Sequence, residues 1–127
     1  MPVQNTITLI AAEAISEFSV VALNTDGKAA LPSGANDDGI IGVAQRTVAI
    51  GEPLEVLVYG ITRVKAGAAL TFATTPILQA ATDGELVAAT SGNYPVARVL
   101  PNINQKSTAG AGEQFFAFFA GAFTPLA

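Results

Sequence analysis

Turn residues divide this chain into short segments, and that division limits the possible folds more than any other feature of the sequence. Twelve glycines and seven prolines are spread over 127 residues. A break therefore recurs about every eight to twelve residues, as in short strands joined by turns. The pairs Asp26-Gly27 and Asp83-Gly84 indicate tight hairpins, because glycine adopts positive φ without penalty. The pattern predicts an all-β fold: a small antiparallel β-sandwich or barrel of short strands.

Apolar runs between these turns predict the individual strands. In Thr6–Ile10, threonine and isoleucine alternate with the period of two that a half-buried strand shows. The other predicted strands are Ser19–Leu23, Lys28–Leu31, Ile40–Arg46, Leu54–Tyr59, Ile61–Lys65, Ala69–Phe72, Ile77–Ala80, Glu85–Ala89, Pro95–Leu100 and Gln114–Phe123. A helix is predicted for one segment only, Ala11–Phe18, because it is rich in alanine and glutamate. The predicted helix has one turn at most.

Landmarks in the first half of the chain return in the same order in the second half, which indicates an internal duplication. The aligned landmarks are Asn24–Ala30 with Ala81–Val87, Val43-Ala44 with Val96-Ala97, Gly51-Glu52 with Gly112-Glu113, and Tyr59-Gly60 with Ala120-Gly121. One half alone cannot close a core. We therefore predict an N-terminal arm or strand (residues 1–14) and a single β domain (residues 15–127), in which two similar hairpin halves, about residues 19–65 and 76–124, pack together. Chance similarity between hairpins is the alternative.

Composition narrows the choice of partners. Charged residues make up 13% of the chain, about half their share in ordinary domains, so we expect part of the surface to be apolar or covered by another subunit. The six basic residues are scattered and the net charge is −4, whereas nucleic-acid binding needs clustered lysine and arginine. No apolar run is long enough to span a bilayer. We predict neither a nucleic-acid nor a membrane partner.

Two of the residue types that most often act in catalysis are missing. The chain has no histidine and no cysteine, which removes the commonest general base, the Ser-His-Asp arrangement and most transition-metal ligands. Asp37-Asp38 follows Asn36 in a stretch typical of turns; a weak Ca²⁺ or Mg²⁺ site and a hydrolase centre on these carboxylates are the alternatives. We predict a protein that is not an enzyme, with no cofactor and no metal site.

Two strands are the predicted contact surfaces. Thr6–Ile10 is suited to adding a strand to the sheet edge of a neighbour. The phenylalanines near the C-terminus fall on both faces of one strand, so one face packs in the core and the other packs either in more core or in an interface. The predicted interface residues are Thr6, Ile7, Thr8, Leu9, Ile10, Phe115, Phe116, Phe118 and Phe119.

Three segments resemble the small phage-encoded capsid cement, or head decoration, proteins. They are 15-ISEFSVVALNTDGKAA-30, 39-GIIGVAQRTVAIGEPLEVLVYGITRV-64, and 83-DGELVAAT-90 followed by 94-YPVARVL-100. The resemblance implies a β-rich protein that binds the major capsid protein on the outer surface of an assembled shell and stabilises that shell, often as a trimer. It also implies a place in the virion after assembly in the host cytoplasm. The insert Pro101–Gly112, where the first half has only Thr47–Gly51, departs from the repeat.

A second interpretation is a β-sandwich adhesin or carbohydrate-binding module, displayed on a virion or secreted. Such a module presents aromatic side chains at loop tips, where sugar rings stack on them. This chain has two tyrosines and no tryptophan, which argues against that interpretation.

Overall fold

Short β-strands build the whole of the described structure. The computed structural model describes residues 5–34, 39–74, 76–90, 93–99 and 108–120. In chain order the strands are β1 (Thr6–Ile10), β2 (Val20–Leu23), β3 (Ala29–Ala30), β4 (Ile40–Ala44), β5 (Pro53–Leu57), β6 (Gly60–Lys65), β7 (Leu70–Thr71), β8 (Ile77–Ala80), β9 (Leu86–Ala88), β10 (Pro95–Val99), β11 (Thr108–Ala109) and β12 (Gln114–Phe119). No helix occurs in these ranges, and the predicted all-β fold is confirmed.

The helical turn predicted for Ala11–Phe18 was wrong. Ile15 instead forms an antiparallel bridge with Val48, in which each N–H donates to the carbonyl of the other, at 3.0 and 2.9 Å. Phe18 has a φ of +64°, a left-handed conformation that an α-helix excludes. Ala11 and Ile15 are spaced like the buried face of a helix, but pairing with distant strands overrides that weak local preference.

The strands form two five-stranded antiparallel sheets with the same internal order. The first sheet runs β1-β5-β4-β2-β3 and the second runs β6-β12-β10-β8-β9. If the strands of each sheet are numbered along the chain, both read 1-5-4-2-3. A separate two-stranded ladder joins β7 to β11. Strand β11 lies within Pro101–Gly112, the stretch that the sequence marked as an insert.

Equivalent strands of the two sheets also pair in the same register. Ile10 lies opposite Pro53 in the first sheet, and Lys65 lies opposite Gln114 in the second. Each sheet has one irregularity at the same place, where β4 meets β2 and where β10 meets β8. The registers make Arg98-Val99 the equivalents of Val43-Ala44, two residues beyond the pair that the sequence alignment chose. A shift of two leaves every side chain on the same face of the sheet.

The Gly-Glu turns occupy equivalent positions and use the same hydrogen bonds. Gly51 and Gly112 both have a φ of +84°, which glycine adopts without the Cβ penalty. The Glu52 carboxylate accepts a hydrogen bond from the Ala49 N–H at 2.7 Å. The Glu113 carboxylate accepts one from the Gly110 N–H at 3.0 Å.

Two apolar clusters lie on opposite faces of the first sheet. The smaller one is enclosed within the first half: Ala11, Ile15, Val21, Ala29, Ala44, Val48, Leu54 and Val56. The larger one contains the equivalents of all eight, together with Val20, Ala22, Ile40 and Val43 from the other face of the first sheet. The first sheet therefore covers one face of the second sheet, as in a sandwich.

We propose that the chain is one domain made of two duplicated halves. Strand pairing groups residues 6–57 and 60–119, so β6 lies with the second half and not within 19–65 as the sequence suggested. β1, which lies in the stretch predicted as an N-terminal arm or strand, forms the edge strand of the first sheet.

Substitution of Gly42 tests the close packing within the first sheet. A Cβ at Gly42 would collide with the Leu57 carbonyl oxygen and with Val56 Cγ1, whereas a Cβ at Gly110 would meet only the Glu113 carboxylate at 3.3 Å. Because backbone cannot move aside cheaply, Gly42→Ala should lower the free energy of unfolding by about 3 kcal/mol, and Gly110→Ala by less than about 0.5 kcal/mol. Urea denaturation measures both; equal losses would contradict the packing described.

Candidate interaction surfaces

The edge of the first sheet exposes strand β1. Hydrogen bonds from the Val58 N–H to the Asn5 carbonyl and from the Ala11 N–H to the Glu52 carbonyl bracket the strand. Hydrogen-bonded and non-hydrogen-bonded pairs alternate between antiparallel strands. The backbone groups of Thr6, Thr8 and Ile10 therefore point away from β5, towards the side on which no described strand lies.

Side chains on this edge are uncharged and mostly exposed. Thr6, Ile7, Thr8 and Ile10 are exposed, with 37% of Ile7 and 42% of Ile10 accessible, while Leu9 is half-buried against the smaller cluster. Ile50, which sequence reasoning missed, is 71% exposed in the Gly-Glu turn whose Gly51 N–H donates to the Ala11 carbonyl. The sequence signal that could have identified this exposed side chain was an isoleucine at the tip of a turn.

The equivalent edge strand of the second sheet is different. β6 carries Arg63 and Lys65 where β1 carries Thr8 and Ile10. Charged side chains on an edge strand oppose pairing with another strand. Of these two equivalent edge strands, β1 alone lacks this protection.

The phenylalanines of β12 divide between the two faces of the second sheet. Phe115 and Phe119 are 5% and 0% exposed and lie in the larger cluster, where Phe72 stacks on Phe115 at 5.2 Å between ring centroids. Both rings are buried by their own chain and are not available to another molecule. Phe116 and Phe118 are half-buried on the opposite face.

That opposite face, which we call the far face, mixes apolar and cationic side chains. Tyr59, 52% exposed, meets Phe118 edge to face at 5.0 Å between centroids. The Arg63 guanidinium lies 5.1 Å from the centre of the Phe116 ring, a cation–π contact. The register continues from exposed Ile61 through Phe118 to Arg98 and Ile77. Of these residues, only the two phenylalanines were among the predicted interface residues.

Two carboxylates have shifted pKa values. The Arg46 guanidinium donates to Glu55 at 2.5 Å and lowers the pKa of that exposed carboxyl. Burial raises the pKa of Glu85, and the neighbouring Asp83 carboxylate raises it further. Glu85 follows Gly84, the residue whose carbonyl accepts a hydrogen bond from the Val20 N–H of the first half.

In the described ranges, no group of three or more acidic side chains could hold a metal ion, and no pocket is present. No helix in that part of the chain is long and apolar enough to cross a membrane. Asn36, Asp37 and Asp38, the alternative cation site, lie outside the described residues.

Comparison with known proteins identifies the family. The family model of the phage cement proteins matches residues 1–114, so this chain belongs to the phage cement protein family, whose members are structural proteins of the phage virion. Membership implies association with the phage capsid. The fold is similar to the crystal structure of the head fiber gp8.5 N base in bacteriophage phi29, with a TM-score of 0.68 and 16% identity, covering 96% of this chain and 99% of that one. No curated protein matches.

Glu85 makes the stability of the fold depend on pH. Its folded-state pKa lies above the ordinary value of 4.5, so ionisation costs free energy in the folded state, and stability falls as pH rises through that pKa. Glu85→Gln should raise the free energy of unfolding at pH 7 by less than about 0.5 kcal/mol, and the gain should vanish below pH 4.5. Denaturant titrations at several pH values measure this, with exposed Glu17→Gln as the control. A variant less stable than wild type at pH 7 would contradict it.

Proposed function

We propose that this protein binds the outer surface of an assembled phage capsid and stabilises the shell, without catalysing a reaction. The observation that carries the proposal is membership of the phage cement protein family over residues 1–114. The partner is the major capsid protein, and binding follows shell assembly in the host cytoplasm. The absence of histidine and cysteine from the sequence supports a structural role, because it removes the usual catalytic side chains.

Strand β1 is the segment that we assign to the shell. Its outward-pointing backbone groups can pair with a strand of the capsid protein, a mode in which main-chain hydrogen bonds supply the affinity. Exposed Ile10 and Ile50 add apolar area at the same end. Because β6 is protected by Arg63 and Lys65, we assign the partner strand to β1 and not to β6, the equivalent edge of the second sheet.

Stabilisation then follows from the number of contacts. We propose a trimer, which presents three copies of β1 to neighbouring capsid subunits. Linked contacts convert modest individual affinities into a high total avidity. Rupture of the shell requires several contacts to break together, which raises its kinetic stability.

A proline at position 8 tests the role of β1. The Thr8 N–H points away from β5, so Thr8→Pro removes an outward donor and leaves the ladder with β5 intact. We expect the fold to retain its stability and the affinity for shells lacking the protein to fall by about tenfold or more. Shell pull-down and the disruption temperature of the decorated shell measure the effect.

Thr8→Ala is the matched control, because it removes the side chain and keeps the N–H. It should bind shells like the wild type. Full shell binding by a well-folded Thr8→Pro variant would refute strand addition through β1. Failure of the wild-type protein to bind shells or to raise their disruption temperature would refute the proposed function itself.

A further inference from the structure

The two halves, alike in topology, contact each other through unlike faces. The first sheet contributes Val20 and Val43, and the second sheet contributes its opposite face, which includes Val96 and Phe119. A contact between unlike faces of like units is head-to-tail. It uses one face of each unit. At one end of the pair it leaves the opposite face of the second sheet free, and at the other end it leaves free the part of the first sheet's opposite face that the smaller cluster does not cover.

One of the free faces is the far face of the second sheet. Val20, Val43 and Leu57, which form the covering face of the first sheet, are 0%, 0% and 8% exposed. The registers give their equivalents in the second sheet as Ile77, Arg98 and Phe118. Ile77 and Phe118 are half-buried and Arg98 is exposed. The positions that make the contact in the first half are thus open in the second.

The other free surface is the part of the first sheet's opposite face that lies beside the smaller cluster. Ala80, Val96 and Phe119, on the covered face of the second sheet, are 1%, 1% and 0% exposed. Their equivalents are Leu23, which is 41% exposed, and Ile41 and Val58, which are half-buried. These three apolar side chains, which we call the open face, have no covering sheet within the described part of the chain.

The Asp-Gly turns differ in the same way. The Gly84 carbonyl accepts a hydrogen bond from the Val20 N–H at 2.8 Å, and a Cβ on Gly84 would lie 2.8 Å from the Ser19 Cβ. Gly27 has a similar φ, +76° against +84°, but a Cβ there would meet nothing within 4 Å. The turn that docks in the second half is open in the first.

We propose that these free surfaces bind a second copy of this chain and repeat the contact between the halves. Ile77 and Phe118 on the far face of one copy pack against Leu23 and Val58 on the open face of the next. The Gly27 carbonyl of the second copy accepts a hydrogen bond from the Ile77 N–H of the first, as Gly84 does from Val20.

Charge complementarity supports this pairing. Arg98 lies opposite Ile77 in the sheet register and forms no ion pair with any described residue. Docking of the first Asp-Gly turn at Ile77 brings Asp26, the residue before Gly27, towards that guanidinium. An Asp–Arg pair across the interface favours this register of assembly over others.

Head-to-tail contacts assemble either into a closed ring or into an open filament. A ring of three chains contains six like sheets, each covering the next. The proposed contact is heterologous, because the far face and the open face are different surfaces, and an isologous dimer, in which one patch meets its own copy, would not repeat the contact between the halves.

Charged substitutions in purified protein, without shells, test the interface. Ile77→Glu and Leu23→Glu should each raise the dissociation constant of assembly by about 100-fold and leave a 12.9 kDa monomer in sedimentation. Ile61→Glu is the matched control: Ile61 lies in the same cross-strand row, but its equivalent Thr6 is exposed, so assembly should not change. Circular dichroism and thermal unfolding verify that each variant is folded.

Mixing the two monomeric variants distinguishes head-to-tail assembly from every symmetric contact. Each variant keeps one intact surface, so the mixture should form a 1:1 heterodimer and stop there. Asp26→Arg and Arg98→Asp should each weaken assembly about tenfold, and the double variant should restore it.

A wild-type protein that stays monomeric up to about 1 mM, or an Ile77→Glu variant that keeps the wild-type mass, would overturn the proposal. So would a mixture of the two variants that stays monomeric. Shell binding is a separate measurement: wild-type protein that assembles but ignores shells would sink the proposed function and leave this interface standing.

Discussion

The structure depends on the apolar contact between the covering face of the first sheet and the covered face of the second. Each half encloses a small cluster of its own, but only this contact buries Val20, Val43 and Phe119 to zero exposure. Burial of apolar side chains contributes roughly 25 cal/mol per Å², and a five-stranded sheet with one uncovered face is poorly stabilised alone. The second sheet needs the first for its core, whereas the first sheet keeps an open face, which we assign to a second copy of the chain.

Duplication explains how one fold produces two kinds of surface. The halves share strand order, register and both glycine turns, yet their edges and faces have diverged. Arg63 and Lys65 protect β6, and no charge protects β1. On the far face, Arg98 occupies the position that a buried valine holds in the first sheet. The far face is therefore one that meets either solvent or a charged partner. Like units with unlike surfaces are suited to a protein whose role is to join other molecules.

The surfaces follow from the chemistry available to the chain. Without histidine or cysteine, and without a pocket in the described ranges, the side chains that stand out are apolar groups at an edge, on two faces and in one turn. The family match places the chain among phage cement proteins, and those surfaces are the means by which it contacts a capsid and its own copies in the roles that we propose.

Much of this could be predicted from the sequence alone, because it depends on local rules. Turn glycines set the strand lengths, alternation identified Thr6–Ile10 as a strand, and missing residue types argued against catalysis. The period of two also separates Phe115 and Phe119 from Phe116 and Phe118. Tertiary structure decided which of those pairs is buried, why Ala11–Phe18 bridges strands instead of forming a helix, and why Gly84 is docked while Gly27 is open. Those outcomes depend on what lies across the sheet from each residue, and two nearly identical turns carry no local signal of that.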